Sequence, residues 1–185
     1  MLKTLCLGIF LLVSYTVLAD GIDLGRPLPE LSIADRGELL LQDDEFSFVP
    51  WAMPAGIGKI HVLQYMAGTK GAKKLNKPFT DRLQEIPHQN YQVTTVINLD
   101  DAMWGTSGFV ISEVKKSKRK YPDSRMVLDA DGLGREVWKL QSKSSVIVIM
   151  DAQGSVRYLK EGAMNEREIE QALGLIRADM KPGAS

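Results

Sequence analysis

Two apolar segments separated by one amphipathic helix constrain this fold more than any other feature of the sequence. Residues 60–66 are largely apolar and residues 93–99 are rich in β-branched side chains, so both predict buried strands. Between them, apolar residues recur at helical spacings of three and four, at Ala72, Leu75, Phe79, Leu83 and Ile86. Pro78 lies within that pattern and predicts a break near Asn76. A strand, a helix and a strand in this order predict a parallel pair joined by a right-handed crossover.

A second helix and a short strand follow this unit. Residues 107–121 carry apolar side chains along one face, with Ser107 suited to the N-cap position and Pro122 ending the pattern. The apolar residues 126–128 then predict a short strand. This adds a further strand and helix to the same α/β arrangement.

The last part of the chain predicts a hairpin and a helix. The apolar residues 146–150 and 156–159 flank a turn, which is typical of two antiparallel strands. Asn165 followed by Glu168 is a capping-box pattern at the start of the last helix. The full order predicts an α/β fold, a three-layer sandwich with a mixed central sheet and helices on both faces.

The amino-terminal part of the folded chain predicts a hairpin extension to this domain. Two short apolar runs, residues 28–33 and 38–41, flank the turn-forming residues 34–37. Residues 43–58 contain Pro50 and Pro54 and predict an irregular segment. The sequence leaves open whether this segment covers a groove on the domain.

Residues 1–19 have the pattern of a secretory signal peptide. Lys3 supplies the positive charge, residues 5–13 form a short apolar run, and the sequence predicts cleavage after Ala19. That run is shorter than the roughly 20 residues that a membrane-spanning helix needs, so we expect no stable membrane insertion after cleavage. The expected product is a single exported domain, residues 20–185.

Composition limits the chemistry of that product. The chain has 23 Lys and Arg against 23 Asp and Glu, so no basic excess indicates a nucleic-acid partner. Its one cysteine, Cys6, lies within the apolar run of the signal segment, and cleavage would leave a chain without thiols. His61 and His88 are far apart and lack a third ligand at a recognised spacing, so we expect no metal and no cofactor. His61 is predicted to be a core or cross-strand residue.

The order of elements, with a final hairpin and helix, resembles the thioredoxin fold. Three stretches resemble the opening of exported thioredoxin-like and peroxiredoxin-like proteins: Pro27-Leu-Pro-Glu-Leu, Asp35-Arg-Gly-Glu-Leu and Gly58-Lys-Ile-His-Val-Leu-Gln-Tyr. From about Gly25 to the last helix, the chain resembles the YtfJ family of small periplasmic bacterial proteins. The matching residues are Gly58-Lys59, Val62-Leu63-Gln64 with Ala67-Gly68, Lys73, Asn98 with Asp100-Asp101-Ala102, and Trp138-Lys-Leu with Ser144-Ser145. This resemblance implies a thioredoxin-like fold and a periplasmic location, but no particular reaction.

The same resemblance shows which chemistry is missing. Redox-active thioredoxin-like proteins carry a Cys-x-x-Cys pair at the start of the first long helix, where the helix N-terminus lowers the pKa of a thiol. Lys70 and Lys73 lie near those positions in this chain, and Ser144 and Ser145 replace the proline that usually faces the cysteine pair. The resemblance therefore implies that thiol oxidoreductase and peroxidase activity are absent.

Two groups of residues are candidates for a binding site. Thr69, Lys70 and Lys73 lie in and beside a Gly-Thr-Lys-Gly loop, which indicates either a phosphate or carboxylate site or a solvated loop with lysines. Asp100 and Asp101 follow the second parallel strand and predict either a cation or acid–base site, or acidic turn residues before the next helix. The nearby Trp104 is a candidate ligand-binding residue or a core residue.

The sequence favours a non-redox binding protein. Its partner is expected to be a periplasmic peptide, protein or small anion, held in a groove between the Lys70 loop and Ser144-Ser145. The alternative is a cysteine-independent enzyme that uses Asp100 and Asp101, or Lys70 and Lys73. A third possibility is an envelope-maintenance protein that has no small ligand. No residue is assigned a catalytic role.

Overall fold

Seven strands form one sheet at the centre of the molecule. The computed structural model describes residues 21–178. Its strands are β1 (Ser32–Gln42), β2 (Glu45–Ala52), β3 (Ile60–Ala67), β4 (Tyr91–Asn98), β5 (Arg125–Asp129), β6 (Ser145–Met150) and β7 (Val156–Glu161). Its helices are α1 (Lys70–Leu75), α2 (Lys77–Leu83), α3 (Ser107–Lys120), α4 (Leu133–Val137) and α5 (Glu166–Ala178). The predicted signal segment, residues 1–19, and its cleavage site lie outside the described residues.

The sheet is mixed, as the sequence predicted. The strand order is β2-β1-β5-β4-β3-β6-β7. Strands β3, β4 and β5 are parallel, whereas β1, β2, β6 and β7 each run antiparallel to a neighbour. The carboxyl ends of the three parallel strands therefore meet at one edge of the sheet, where ligands of α/β proteins usually bind.

Apolar side chains cover both faces of the sheet, which is why β3 is buried along nearly its whole length. On one face, Val62 packs with side chains of α2 and α5, and Leu128 packs with Val114 of α3. On the other face, Leu63 packs with Trp138 at the end of α4. The predicted arrangement with helices on both faces is confirmed. Among residues 21–178, no helix is both long and apolar enough to cross a membrane.

Local signals placed several boundaries correctly. The helix predicted across residues 72–86 breaks at Asn76, between α1 and α2. The capping box of α5 forms in both directions, with Glu168 N donating to Asn165 Oδ1 at 3.0 Å and Asn165 N donating to Glu168 Oε2 at 2.8 Å. Ser107 is instead the first residue of α3, and Thr106 occupies the N-cap position without a side-chain cap bond.

The amino-terminal hairpin forms, but the predicted position of its turn is wrong. Residues 34–37 form an irregularity within the single strand β1, and the chain reverses later, at Asp43 and Asp44. Residues 43–58 are irregular only in part, because Glu45–Ala52 forms β2 along β1 while residues 53–58 form neither a helix nor a strand. Strand β2 is at the edge of the sheet, where Pro50 is tolerated because one side of the strand needs no ladder hydrogen bonds. The short helix α4 was not predicted.

Candidate functional site

A groove of about 710 Å³ opens at the carboxyl edge of the parallel strands. One wall is the start of α1, and the other is the loop that follows β4, with a residue from the loop before β6. The lining residues are Thr69, Gly71, Ala72, Leu75, Asp101, Ala102, Met103, Trp104 and Lys143. Residues 43–58 do not contribute to this lining, which answers the question that the sequence left open.

The α1 wall begins with a capped helix. Thr69 is the N-cap, and its Oγ1 accepts a hydrogen bond from Ala72 N at 3.1 Å. Lys70 and Lys73 are exposed. The pKa of Glu113 on α3 is lowered mainly by a hydrogen bond from Lys116, and further by the charges of Lys73 and Lys70. Both predicted lysines therefore lie on the side of α1 that is near α3. Because α1 has only six residues, its dipole gives little support to an anion site.

The opposite wall is anchored by an arginine that the sequence did not single out. Arg135 of α4 donates from Nη1 to Asp101 Oδ1 at 2.8 Å and from Nη2 to Asp100 Oδ2 at 2.9 Å. Asp101 Oδ2 accepts from Asn98 Nδ2 at 3.0 Å and from Lys143 N at 3.0 Å. Both oxygens of Asp101 are therefore used in holding the loop after β4 to α4 and to the loop before β6.

A second carboxylate positions α4 itself. Asp129, at the end of β5, is fully buried and accepts hydrogen bonds from Leu133 N at 2.9 Å and Gly134 N at 2.8 Å. Its Oδ2 also accepts from the Tyr65 hydroxyl at 3.0 Å, and that hydroxyl accepts from Arg135 N at 2.9 Å. Burial, and then the charge of Asp129, raise the pKa of Tyr65 well above its usual value. This network fixes α4, and with it the Arg135 side chain.

Trp104 is exposed to solvent over its whole side chain. Met103 beside it is 73% exposed, and Phe109 in the first turn of α3 is 54% exposed. The amine of Lys70 lies 5.6 Å from the centre of the Phe109 ring. The core alternative for Trp104 is therefore wrong, and three large apolar side chains project from residues 103–109 beside the groove. Exposed large apolar side chains that are close together in the chain are a feature of interaction sites.

Ser144 and Ser145 do not line the groove. Ser145 is fully buried, and its Oγ accepts hydrogen bonds from Asn76 Nδ2 at 3.2 Å and Gln64 Nε2 at 3.4 Å. Ser144 is half-buried and accepts from Ala67 N through its backbone oxygen at 2.9 Å. The predicted serines thus join the parallel strands to the break between α1 and α2, and the adjacent Lys143 reaches the groove instead.

The structure brings together Thr69, Asp101 and Trp104 of the predicted site and places Lys70 and Lys73 beside them. Sequence reasoning missed Met103, Arg135 and Lys143. Met103 directly precedes Trp104, so the prediction of Trp104 could have been extended to it. No sequence pattern near Arg135 indicates that this residue contacts the site. Within residues 21–178, no group of three or more His, Cys, Asp or Glu side chains could hold a metal ion.

Comparison with known proteins identifies the family. The model of a family described as a bacterial protein of unknown function (YtfJ_HI0045) matches residues 22–179. The chain belongs to the YtfJ family. It is 35% identical over 173 residues to the uncharacterized protein YtfJ of Escherichia coli K12, covering 92% of this chain and 94% of that protein. An uncharacterized protein of Haemophilus influenzae is also 35% identical, over 161 residues, covering 85% of this chain and 87% of that protein.

Solved structures confirm the thioredoxin-like fold of this YtfJ-family chain. The thioredoxin domain of a thiol-disulfide oxidoreductase from Bacteroides vulgatus superimposes with a TM-score of 0.56, covering 84% of this chain and 99% of that domain. The two sequences are only 11% identical, so the likeness concerns the fold. The one cysteine of this chain is Cys6, and the first turn of α1 carries Lys70 and Lys73.

Proposed function

We propose that this YtfJ-family chain is a cysteine-independent binding protein that holds a peptide, protein or small anion in the groove beside α1. The observation that carries the proposal is the fully exposed Trp104 on the groove wall, next to the exposed Met103. A solvated indole of this size contributes nothing to the core, but it contributes strongly to binding when a partner covers it.

The walls of the groove support this proposal because they are already held in place. Asp101 joins the loop that carries Trp104 to Arg135 and to the backbone of Lys143. A preorganised surface loses less conformational entropy when a partner binds, so more of the contact energy becomes affinity. The exposed side chains therefore project from a fixed frame.

These contacts disfavour the alternative of a cysteine-independent enzyme that uses Asp100 and Asp101. A general acid or base must reach the proton that it transfers. Asp101 is buried and uses both carboxylate oxygens in structural contacts, and Asp100 pairs with Arg135. Binding is therefore the function that we propose for this site.

Tryptophan fluorescence tests the proposal directly. Trp51 and Trp138 are only 5% and 2% exposed, so quenching by aqueous acrylamide reports mainly on Trp104. We expect a panel of peptides and small anions to contain a ligand that protects Trp104 from the quencher. Trp104→Ala is expected to weaken binding of that ligand by about 30-fold, the scale of an aromatic hot spot, as measured by isothermal titration calorimetry because this variant lacks the fluorescent reporter.

Leu24→Ala is the matched control for Trp104→Ala. Leu24 is 66% exposed and lies outside the groove lining, so its truncation should leave affinity unchanged. Both variants should unfold at the denaturant concentration of the parent chain, because exposed truncations change stability little. Equal binding by the parent and Trp104→Ala would refute the proposed site.

We also propose that the chain is exported to the periplasm and cleaved after Ala19. The supporting pattern is Lys3, the apolar residues 5–13 and the residues before Asp20. Cell fractionation followed by mass measurement of the intact protein tests this. A chain that begins at Asp20 in the periplasmic fraction is the expected result, and an unprocessed cytoplasmic chain would contradict it.

A further inference from the structure

The lining of the groove combines apolar walls with basic side chains. Ala72 and Leu75 of α1 face the groove together with Met103 and Trp104 of the opposite wall. Lys143 is the basic residue in the lining, and it is exposed. Apolar contacts contribute to affinity when they displace water from apolar surface. A partner that fits this lining therefore needs an apolar side chain that enters between the walls.

The charged side chains that we identify on and beside the groove walls have a net positive charge, because the lysines outnumber the uncompensated acids. Lys70, Lys73 and Lys143 lie on or beside the walls. Arg135 pairs with both Asp101 and Asp100, and its single positive charge offsets one of their two negative charges. The nearby Glu113 is paired with Lys116 at 2.9 Å. The three lysines outnumber the one carboxylate charge that remains uncompensated among these groups, so their net charge is positive and attracts anions over about 8–10 Å.

We propose that the occupant of the groove is an acidic peptide segment with an apolar side chain, held by Trp104 and Met103 and flanked by carboxylates near Lys70 and Lys143. This inference rests on the proposed function and specifies the chemistry of its partner. An inorganic anion offers no group for the apolar walls, and a flat membrane surface does not enter a concave groove. A peptide supplies both the apolar side chain and the charges.

Three synthetic peptides with the same central Leu-Phe-Leu segment test the inference on the purified chain. Their flanks are Asp and Glu, Ser and Gly, or Lys and Arg, and protection of Trp104 from acrylamide is the readout. None of the peptides contains tryptophan, so the signal belongs to the protein. We expect the acidic peptide to bind about tenfold more tightly than the neutral one, the basic peptide to bind most weakly, and the difference to shrink as salt is raised.

Charge-reversal variants test which lysines cause the preference for the acidic peptide. The Lys70→Glu and Lys143→Glu double variant should lose the preference for the acidic peptide while still binding the neutral one. Lys143→Glu keeps the backbone N–H that donates to Asp101, and Lys70→Glu places an acid in the first turn of α1, where it is tolerated. Lys59→Glu is the matched control, since Lys59 precedes β3 at the amino end of that strand, away from the groove. It should retain the preference.

The outcomes separate this inference from the proposed function. Equal binding of all three peptides to the parent chain, with loss of peptide binding by Trp104→Ala in isothermal titration calorimetry, would overturn the acidic preference and leave groove binding intact. Protection of Trp104 by vesicles of anionic phospholipid, with no protection by any peptide, would overturn the inference in favour of a lipid surface. If neither the panel of peptides and anions nor these peptides and vesicles protect Trp104, the proposed function fails as well.

Discussion

His61 is a buried histidine on strand β3, within the sheet. It is 3% exposed, and its Nε2 lies 2.8 Å from Thr94 Oγ1 on the neighbouring strand β4. This confirms the sequence-based expectation of a core residue. Burial, and then the positive charge of Arg125, lower the pKa of His61 to about 4. The imidazole is therefore neutral in the folded protein at pH 7.

The first prediction is an acid-dependent loss of stability from His61. The unfolded chain takes up this proton near pH 6.5, whereas the folded chain resists it until about pH 4, so protons favour unfolding within that window. The free energy of unfolding should fall by up to about 3 kcal/mol as pH drops through it. Urea denaturation at a series of pH values measures this. The His61→Leu, Thr94→Val double variant should lack the contribution between pH 6.5 and 5, and an unchanged slope would contradict it.

Gly134 is a second residue whose role depends on its neighbours in the fold, because they leave no room for a side chain. A Cβ at this buried position would lie 2.5 Å from Tyr65 Cε2 and 3.1 Å from Leu31 Cδ2. Tyr65 cannot easily move, because its hydroxyl is held by Asp129 and by the amide of Arg135. We therefore expect Gly134→Ala to destabilise the fold by about 1–3 kcal/mol.

Gly174 on α5 is the matched control for Gly134. A Cβ there meets no atom within 4 Å, so Gly174→Ala should stabilise the helix by about 0.5–1 kcal/mol. Urea midpoints of the two variants give the comparison. Shifts of the same sign would refute the steric explanation.

At the scale of elements, α4 holds the loop after β4 in place. Its five residues bring Arg135 to Asp100 and Asp101, which lie 35 and 34 positions earlier in the chain. The helix is itself held by Asp129 at the end of β5. The position of Trp104 thus depends on a helix that does not line the groove.

The prediction at this scale concerns Arg135→Ala. The side chain of Asp101 is only 6% exposed, so losing its partner leaves a poorly solvated carboxylate. We expect a loss of about 2 kcal/mol, below the usual cost of a broken buried pair because Arg135 is 25% exposed. Amide hydrogen exchange should rise in residues 100–106. Arg135→Lys should recover only part of the stability, because one amine does not reproduce the two-pronged contact. Full recovery of the stability by Arg135→Lys would contradict the proposed role of the two-pronged Arg135 contact.

At the scale of the whole molecule, apolar packing on both faces of the sheet stabilises the fold without a disulfide. Phe79 and Leu173 are buried on one face, and Trp138 is buried on the other. A chain with Cys6 as its one cysteine cannot form an internal disulfide. The thioredoxin-like architecture here is therefore stabilised by noncovalent interactions, with apolar burial as the main contribution.

The prediction at this scale is that a reductant does not change the stability of the chain. The melting temperature should be the same with and without dithiothreitol, and the chain should not catalyse insulin reduction. The Lys70→Cys, Lys73→Cys double variant places a Cys-x-x-Cys pair in the first turn of α1 and serves as the positive control. Its melting temperature should become sensitive to dithiothreitol. Sensitivity in the parent chain would contradict the prediction.

Particular elements show how far the sequence can be interpreted without the structure. The β6–β7 hairpin, the capping box of α5 and the break at Asn76 were predicted, since each depends on residues close together in the chain. Strand β2 was missed because Pro50 usually argues against a strand and is tolerated only at a sheet edge. Helix α4 was missed because its five residues are too few to show a period.

By itself the sequence determined the type and order of most elements, the mixed sheet and the absence of an internal disulfide. These follow from side-chain periodicity and residue chemistry, which are local properties. Only the tertiary structure decided that Arg135 clamps Asp101, that Lys143 rather than Ser145 reaches the groove, and that Trp104 is exposed. Those outcomes depend on which loops the folded strands bring to the same edge of the sheet, and contacts between residues 34 or 42 positions apart leave no local pattern.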